Sequence, residues 1–375
     1  MRIGIVCSPT FGGSGVVATE LGQQLVRQGH EVHFVSYQRP ERLMYLDNLY
    51  FHQVSYDPYP FFHYHPYSLA LASTMAEVVE EHKIDILHAH YAIPHAISAI
   101  LAKDMLPNHP VKVITTLHGT DITLVGQTRS YFPLTQLAIN KSDGVSVVSD
   151  YLLKRTVSTF DIQRDIKVIP NAVDLQRFTK VTAESVKQFR QHYPSADKII
   201  THISNFRPVK RIADVIKVFE KIQKNTVSHL LMVGDGPEKS SAVNLVNSLG
   251  IKNKVTFLGT SQYIETICAS SDLFLLPSEH ESFGLSALEA MAAGCPVVAT
   301  EGSGVAEFVT SGVDGELAAV GDIDAMVEAA NKILLHHHRY KEAAVKTACQ
   351  FDLTGMALVY ENFYRDILKL KSNDV

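Results

Sequence analysis

At 375 residues the chain is too long for one ordinary hydrophobic core, so two domains are expected. With 46% apolar and 19% charged residues it has the composition of a packed globular protein, which excludes a disordered chain. A net charge of −5, with no basic stripe interleaved among the 15 Tyr and 17 Phe, gives no general electrostatic case for nucleic acid.

The chain opens on the strand-like run "RIGIVCS". No cationic segment with a small-residue cleavage site precedes it, and no stretch approaches the length of a membrane span. Cys7, Cys268, Cys295 and Cys349 lack C-x-x-C spacing and read as buried reduced thiols. From these features a cytoplasmic protein that engages no membrane is expected. They leave the oligomeric state open, a homo-oligomer included.

Next comes "FGGSGVVATELG", residues 11 to 22, in which Gly13, Gly15 and Ala18 spell G-x-G-x-x-A. A dinucleotide site would also need an acid at the end of the second strand. That strand, "EVHFVSYQRP", has Glu31 at the wrong end and exits on Tyr37, Gln38 and Arg39. Arg39 could suit a 2′-phosphate, so NADP stays open. The simpler reading is an anion site: Gly12, Gly13 and Gly15 let backbone approach a ligand, Ser14 caps the following helix, and its free amides attract phosphate or carboxylate.

The runs "FHQVSY", "IDILHAHY", "VKVITTLHG", "GVSVVS" and "IKVIP" follow as strands, separated by helical stretches such as "SLALASTMAEVVEEH". Continuous apolar strands alternating with helices imply a parallel sheet covered on both faces. "HAH" at 88 to 90 puts two histidines on one strand face, either as a packed pair or as a metal pair. "TTLHGTDIT" places His118 and Asp121 on a strand exit, with Gly119 permitting a tight bend.

"IPNAVDLQRF" (169 to 178) has no clear period and is expected to link the domains. The alternation then restarts with "KIITHIS", "HLLMVGDG", "KVTFLG", "LFLLPS" and "PVVAT". The expected fold is α/β, with two doubly wound, Rossmann-like parallel-sheet domains facing across a cleft. They span 1–169 and 170–353, and the final helical stretch, 354–375, packs back on the first. Ligands of such sheets bind beyond the strand carboxyl ends.

Two second-domain exits stand out. "SNFRPVKR" gathers Arg207, Lys210 and Arg211 at a helix start, which suits a pyrophosphate or, alternatively, a solvated basic turn. "PSEHESFGLSALEAMAAG" sets Glu281 before a helix and Glu289 on it, with the Gly284 and Leu285 amides at its start. Glu281 can accept from sugar hydroxyls, Glu289 from a ribose diol, and the amides can bind phosphate. The only D-x-D, Asp322 and Asp324, reads as a helix cap, and "HHH" at 336 to 338 as a solvated helix end, so no metal is required.

These residues together resemble the retaining glycosyltransferases of the GT-B fold, family 4, over essentially the whole chain. The family's E-x7-E motif matches Glu281 and Glu289, and its glycine loop matches Gly12 to Gly15. Its Pro-x-K falls on Pro208 and Lys210, while its arginine falls on Asn205, with Arg207 two places later. "GGSGVVATELG", "HYAIPHA" and "LHGTDIT" are most similar to members that move N-acetylglucosamine from UDP-N-acetylglucosamine to the hydroxyl of L-malate, the first step of bacillithiol biosynthesis.

The resemblance implies no cofactor. It implies UDP-sugar contacts from Gly15, Asn205, Arg207 and Lys210, and from Glu281, Phe283, Gly284, Leu285 and Glu289. Acceptor contacts fall on Gly13, Ser14, Tyr91, Asp121 and Arg129, and catalytic contacts on His118, Lys210 and Glu281. It implies retention by a same-face route in which the leaving phosphate takes the acceptor's proton. A double displacement would need a carboxylate nucleophile, for which Asp121 is nearest. The rival readings are another small anionic acceptor, a UDP-sugar epimerase on the same scaffold, and a sugar-nucleotide binder without turnover.

Overall fold

The structure, a computed structural model, describes residues 1–10, 12–56 and 66–369. Phe11 of the glycine loop and the end of the C-terminal stretch, residues 370–375, lie outside the described residues. The chain divides into two compact units, Met1–Asn171 with Leu353–Val375, and Ala172–Asp352.

The first unit holds seven parallel strands: β1 (Arg2–Val6), β2 (Glu31–Ser36), β3 (Leu49–Gln53), β4 (Ile86–His90), β5 (Lys112–Leu117), β6 (Gly144–Val147) and β7 (Lys167–Val168). Their order is β3-β2-β1-β4-β5-β6-β7. Chain progression therefore reverses between β1 and β4, and a crevice opens outside the carboxyl ends of those two strands. β4 is buried along its whole length, as a strand sandwiched between helix layers must be.

The helix Leu353–Leu368 returns to this sheet and buries Tyr360, Phe363 and Tyr364 in one core with Ile3, Ile5, Leu25 and Phe34. Aromatic side chains bury about 150–250 Å² each, roughly 4–6 kcal/mol gross per ring at about 25 cal/mol/Å². Gly144 makes room for this helix, since a Cβ there would lie 2.9 Å from both Ile367 and Phe363.

The second unit holds β8 (Lys198–Ile203), β9 (Ser228–Val233), β10 (Val255–Gly259), β11 (Leu273–Leu276), β12 (Val297–Thr300) and β13 (Gly315–Ala318). Their order, β10-β9-β8-β11-β12-β13, reverses between β8 and β11. Ile212, Ile216, Phe219, Leu230, Met232 and Tyr340 form its core.

Several elements differ from expectation. "FHQVSY" is displaced: the strand runs Leu49–Gln53, set by pairing with β2. "IKVIP" pairs over two residues only. β13, "GELA", was not expected, because its glutamate interrupts a short apolar run. The linking stretch contains a helix, Leu175–Thr179, capped by the Asp174 side chain. Cys7, Cys268 and Cys295 are buried, but Cys349 is exposed on the turn Cys349–Phe351. Among the described residues no helix is long and apolar enough to cross a membrane.

Candidate active site

In the first unit the informative side chains gather at the exits of β1, β4 and β5. The loop after β1 leads into the helix Ser14–Arg27, whose N-cap position is held by Gly13 at φ 52° and ψ −116°. Ser14 was expected to cap this helix; it is instead the first helical residue and is buried, because the break in the chain falls on Gly13. Among the described residues no side chain caps this helix start, which leaves its first-turn amides available to an anion.

The three glycines do different work. A Cβ at Gly15 would lie 2.5 Å from the Ser8 carbonyl oxygen, so Gly15 permits close packing of loop on helix. Gly12 and Gly13 face open space, and Gly13 is required by its positive φ. Arg39 is already occupied: it donates to the carbonyls of Leu43 and Met44 and lies over the Tyr45 ring. Nothing at the β2 exit therefore favours a 2′-phosphate.

The exits of β4 and β5 carry a histidine network. His88 is hydrogen-bonded through Nδ1 to the Tyr364 hydroxyl and through Nε2 to Thr116, both at 2.7 Å. Its ring lies 4.3 Å from that of His90, so the pair does share a face, but both His88 nitrogens are taken by hydroxyls rather than free for a metal. His90 Nδ1 meets His118 Nε2 at 2.9 Å, and His95 Nδ1 donates to the His90 carbonyl at 2.5 Å. His90 Nε2 is buried and has no hydrogen-bond partner among the described residues.

Burial pushes His88 down to about 3 and His95 to about 4, and drives His90 well below the usual histidine range. His118 is also lowered, by burial and then by the charge of His95, although part of its surface stays open. At neutral pH these rings are uncharged, so His118 acts as a hydrogen-bonding group and not as a cation.

Asp121 is buried, and its carboxylate accepts from the amides of Ala92, His118 and Gly119 at 3.2, 3.2 and 2.8 Å. Burial raises its carboxyl to about 6, against the opposing pull of those amides. The carboxylate thus ties the β4 and β5 exit loops together and positions His118. Tyr91 starts the β4 exit at φ 95°, its ring 5.5 Å from His118. Arg129 lies on an exposed turn before the helix Phe132–Lys141.

In the second unit the loops after β8 and β11 lie side by side. Lys210, at the end of the turn Pro208–Lys210, donates from Nζ to Glu281 Oε2 at 2.6 Å. The Glu279 amide donates to the Val209 carbonyl at 2.8 Å and pins one loop to the other. Beneath them His202 bridges from Nδ1 to the Leu275 carbonyl and from Nε2 to Ser204. Burial, with the Lys210 charge nearby, lowers this histidine to about 4.

The expected trio of cations is not assembled. Arg211, at φ 51°, turns onto its own helix and pairs with Asp214 at 2.5 Å, which leaves Arg207 and Lys210. Arg207 and Asn205 are exposed on the β8 exit. Phe283 is buried against Phe308 and Phe351, so it offers the site backbone and not a ring. Gly284 caps the helix Leu285–Ala292 at φ 98°, and Glu289 lies buried on that helix. Asp322 caps the helix Ile323–Leu335, as its spacing implied.

Sequence reasoning missed the glycines that hold these loops. A Cβ on Gly234 or Gly236 would lie 1.8 or 2.0 Å from the carbonyl oxygens of Ser204 and Asn205. A Cβ on Gly304 would lie 2.2 Å from the Ser282 carbonyl oxygen, and the Gly304 amide donates to the Glu281 carbonyl at 2.8 Å. The signal was present as "GDG" directly after one strand and "GSG" one residue past another.

Comparison with known proteins follows the same division. Residues 11–177 match the family described as Glycosyltransferase Family 4, and residues 185–348 match Glycosyl transferases group 1. The chain is 43% identical over 380 residues to N-acetyl-alpha-D-glucosaminyl L-malate synthase of Bacillus anthracis, covering 100% of this chain and 99% of that one. It is 27% identical over 264 residues to D-inositol 3-phosphate glycosyltransferase of Mycolicibacterium smegmatis, covering 67% and 59% of the two chains. Its fold is that of a glycosyltransferase from Rickettsia africae (TM-score 0.80, 23% identity, 99% of each chain). It is likewise that of Anabaena HepE solved with UDP and glucose (TM-score 0.83, 19% identity, 98% and 100% of the two chains).

Proposed function

This chain belongs to glycosyltransferase family 4, and on that premise we propose that it moves N-acetylglucosamine from UDP-N-acetylglucosamine to the hydroxyl of L-malate with retention. The observation that carries the reading is the 43% identity, end to end, to a protein named for that product. In keeping with it, each sheet has its order reversal at the exits that carry the candidate residues.

On this reading the second unit binds the donor. Glu289 takes the ribose diol, Lys210 and Arg207 the diphosphate, and the Gly284 and Leu285 amides a phosphate oxygen. Glu281, already paired with Lys210, is set to accept from the sugar hydroxyls. The first unit binds the acceptor, a small dianion, at the uncapped helix start behind Gly13, with Tyr91 and Arg129 contributing. His118, neutral, hydrogen-bonds the sugar near its reacting edge, and Asp121 holds that histidine in place.

The bond from the anomeric carbon to the UDP oxygen breaks as the malate oxygen bonds to the same face. The malate hydroxyl proton passes to the departing phosphate oxygen. The protein then supplies positioning and charge stabilisation rather than a strong base, and the enzyme works in the cytoplasm without a cofactor.

The test is incubation with UDP-N-acetylglucosamine and a panel of hydroxy acids and sugar phosphates, following UDP. UDP released with L-malate and not with the others supports the reading. Release with inositol phosphate instead would move the acceptor to another small anion, in line with the name of the mycobacterial relative. Release without any acceptor would favour an epimerase.

A further inference from the structure

The far edge of the first sheet carries a histidine cluster that the strand exits do not use. His33 lies on β2, His52 on the edge strand β3, and His82 ends the helix Tyr67–His82. In the parallel register His33 faces Tyr50, so His52, two residues on, shares its sheet face. Nitrogen atoms of the three histidines all lie within 4.8 Å of one another, with His33 Nδ1 and His52 Nε2 2.9 Å apart. The ring of His82 lies 4.4 Å from that of His33 and 5.1 Å from that of His52.

Hydrogen bonding fixes which nitrogen is available. Glu31 Oε1 stands 2.8 Å from His33 Nε2, and a carboxylate can only accept, so Nε2 carries the hydrogen and Nδ1 keeps its lone pair. A carboxylate behind an imidazole is the arrangement that orients metal-binding histidines. His52 Nε2 then donates to His33 Nδ1, and a change of tautomer frees that nitrogen as a second donor. Burial lowers His33, with Glu31 opposing, and lowers His52 to about 4, so both rings are uncharged at neutral pH, as ligands must be.

We propose that His33, His52 and His82 bind a late first-row divalent cation, zinc foremost, with Glu31 orienting His33. Imidazole donors suit that class, and zinc bonds of about 2.0–2.1 Å place tetrahedral nitrogens roughly 3.3 Å apart. His33 and His52 already approach that spacing. His82, at a helix end with its side chain 29% exposed, has the freedom to close the rest. The surrounding charge is mixed: Glu31 and Glu81 favour a cation, while Arg2, which donates to the His82 carbonyl at 3.1 Å, opposes one. None of the three histidines lies on the exit loops of β1, β4 or β5, so the ion clamps the edge strand to the helix end and takes no part in transfer.

The whole protein, stripped with a chelator, is titrated with zinc chloride at pH 7.5 by calorimetry, and with cobalt(II) by its visible absorption. One saturable equivalent and a tetrahedral cobalt spectrum are expected, with a rise in melting temperature on zinc addition. His52→Ala and His82→Gln should abolish the equivalent, and Glu31→Gln should weaken it roughly 10–100-fold. Absence of saturable binding would overturn the proposal. So would binding that survives His52→Ala and His82→Gln but disappears when His336 and His338 are replaced by alanine.

Discussion

Lys210 Nζ stands 2.6 Å from Glu281 Oε2, and the two residues come from the loops after β8 and β11, the neighbouring strands at which the second sheet reverses its order. The pair is partly buried, with side chains 19% and 14% exposed. A donor diphosphate and its sugar would meet a lysine already aimed by a glutamate. Lys210→Ala should lower kcat roughly 100-fold, as loss of one preorganised electrostatic donor does, with a smaller change in KM. Steady-state kinetics with UDP-N-acetylglucosamine and L-malate check this; near-normal turnover would remove Lys210 from the phosphate site.

Glu289 lies on the helix Leu285–Ala292, one turn in from the Gly284 cap, and is buried. If it takes the ribose diol, Glu289→Ala should weaken UDP binding roughly 10–100-fold, the scale of charged hydrogen bonds of about 1.5–3 kcal/mol. Calorimetric titration with UDP measures it. Unchanged UDP affinity would place the ribose elsewhere.

The second sheet's motif was legible because it is local. Glu281, Gly284 and Glu289 follow one strand, bend at one glycine and ride one helix, so spacing alone conveys their placement. Lys210 was legible as a strand exit, but its partner is 71 residues away, and Arg211 beside it has a positive backbone φ and pairs with Asp214. The histidine network was half legible. "HAH" shows two rings on one face, yet the hydroxyl that holds His88 is Tyr364, 276 residues on, in a helix whose aromatic stripe reads simply as core. The tie of Asp121 to the Ala92 and Gly119 amides was not legible, because no side-chain pattern announces backbone partners.

The neutral histidines make the first unit sensitive to acid. His88 falls to about 3 in the folded state from an ordinary value of 6.5. Below that ordinary value the unfolded chain binds the proton and the folded one does not, so stability falls as pH drops from about 6.5 toward 3. At pH 5 His88 alone costs about 2 kcal/mol, from about 1.36 kcal/mol per pH unit. Asp121, raised to about 6, acts in the opposite sense between about 6 and 4, because the folded state then holds the extra proton. His88, His90 and His95 outnumber it, so calorimetric melting at pH 7.5 and 5.0 should show a net loss at the lower pH. A first-unit transition that does not move would contradict the buried neutral network.

Tyr364→Phe probes the same network from the other side. It removes the hydroxyl that meets His88 Nδ1 at 2.7 Å and leaves the ring in place. Leaving a buried nitrogen without its partner costs about 1–3 kcal/mol, which denaturant unfolding resolves. Because the helix bearing Tyr364 touches no candidate substrate residue through that hydroxyl, kcat should stay near normal. A large loss of kcat with little loss of stability would assign His88 a part in the chemistry.

Gly12 lies in the loop after β1 and Gly15, three residues on, in the first turn of the helix Ser14–Arg27, and their surroundings predict opposite outcomes for the same substitution. A Cβ at Gly15 would lie 2.5 Å from the Ser8 carbonyl oxygen and 2.8 Å from that of Thr10, both backbone atoms that cannot swing aside. Gly15→Ala must displace the loop from the helix, at about 1–3 kcal/mol by analogy with overpacked cores, and with it the open amides behind Gly13. A Cβ at Gly12 would meet nothing within 4 Å, so Gly12→Ala should leave the melting temperature nearly unchanged. Kinetics separate fold from function at this second position: if an acceptor carboxylate seats on that open face, Gly12→Ala should raise the KM for L-malate and leave the KM for UDP-N-acetylglucosamine alone. An unaltered KM for both substrates would show that the glycine edge faces solvent rather than the acceptor.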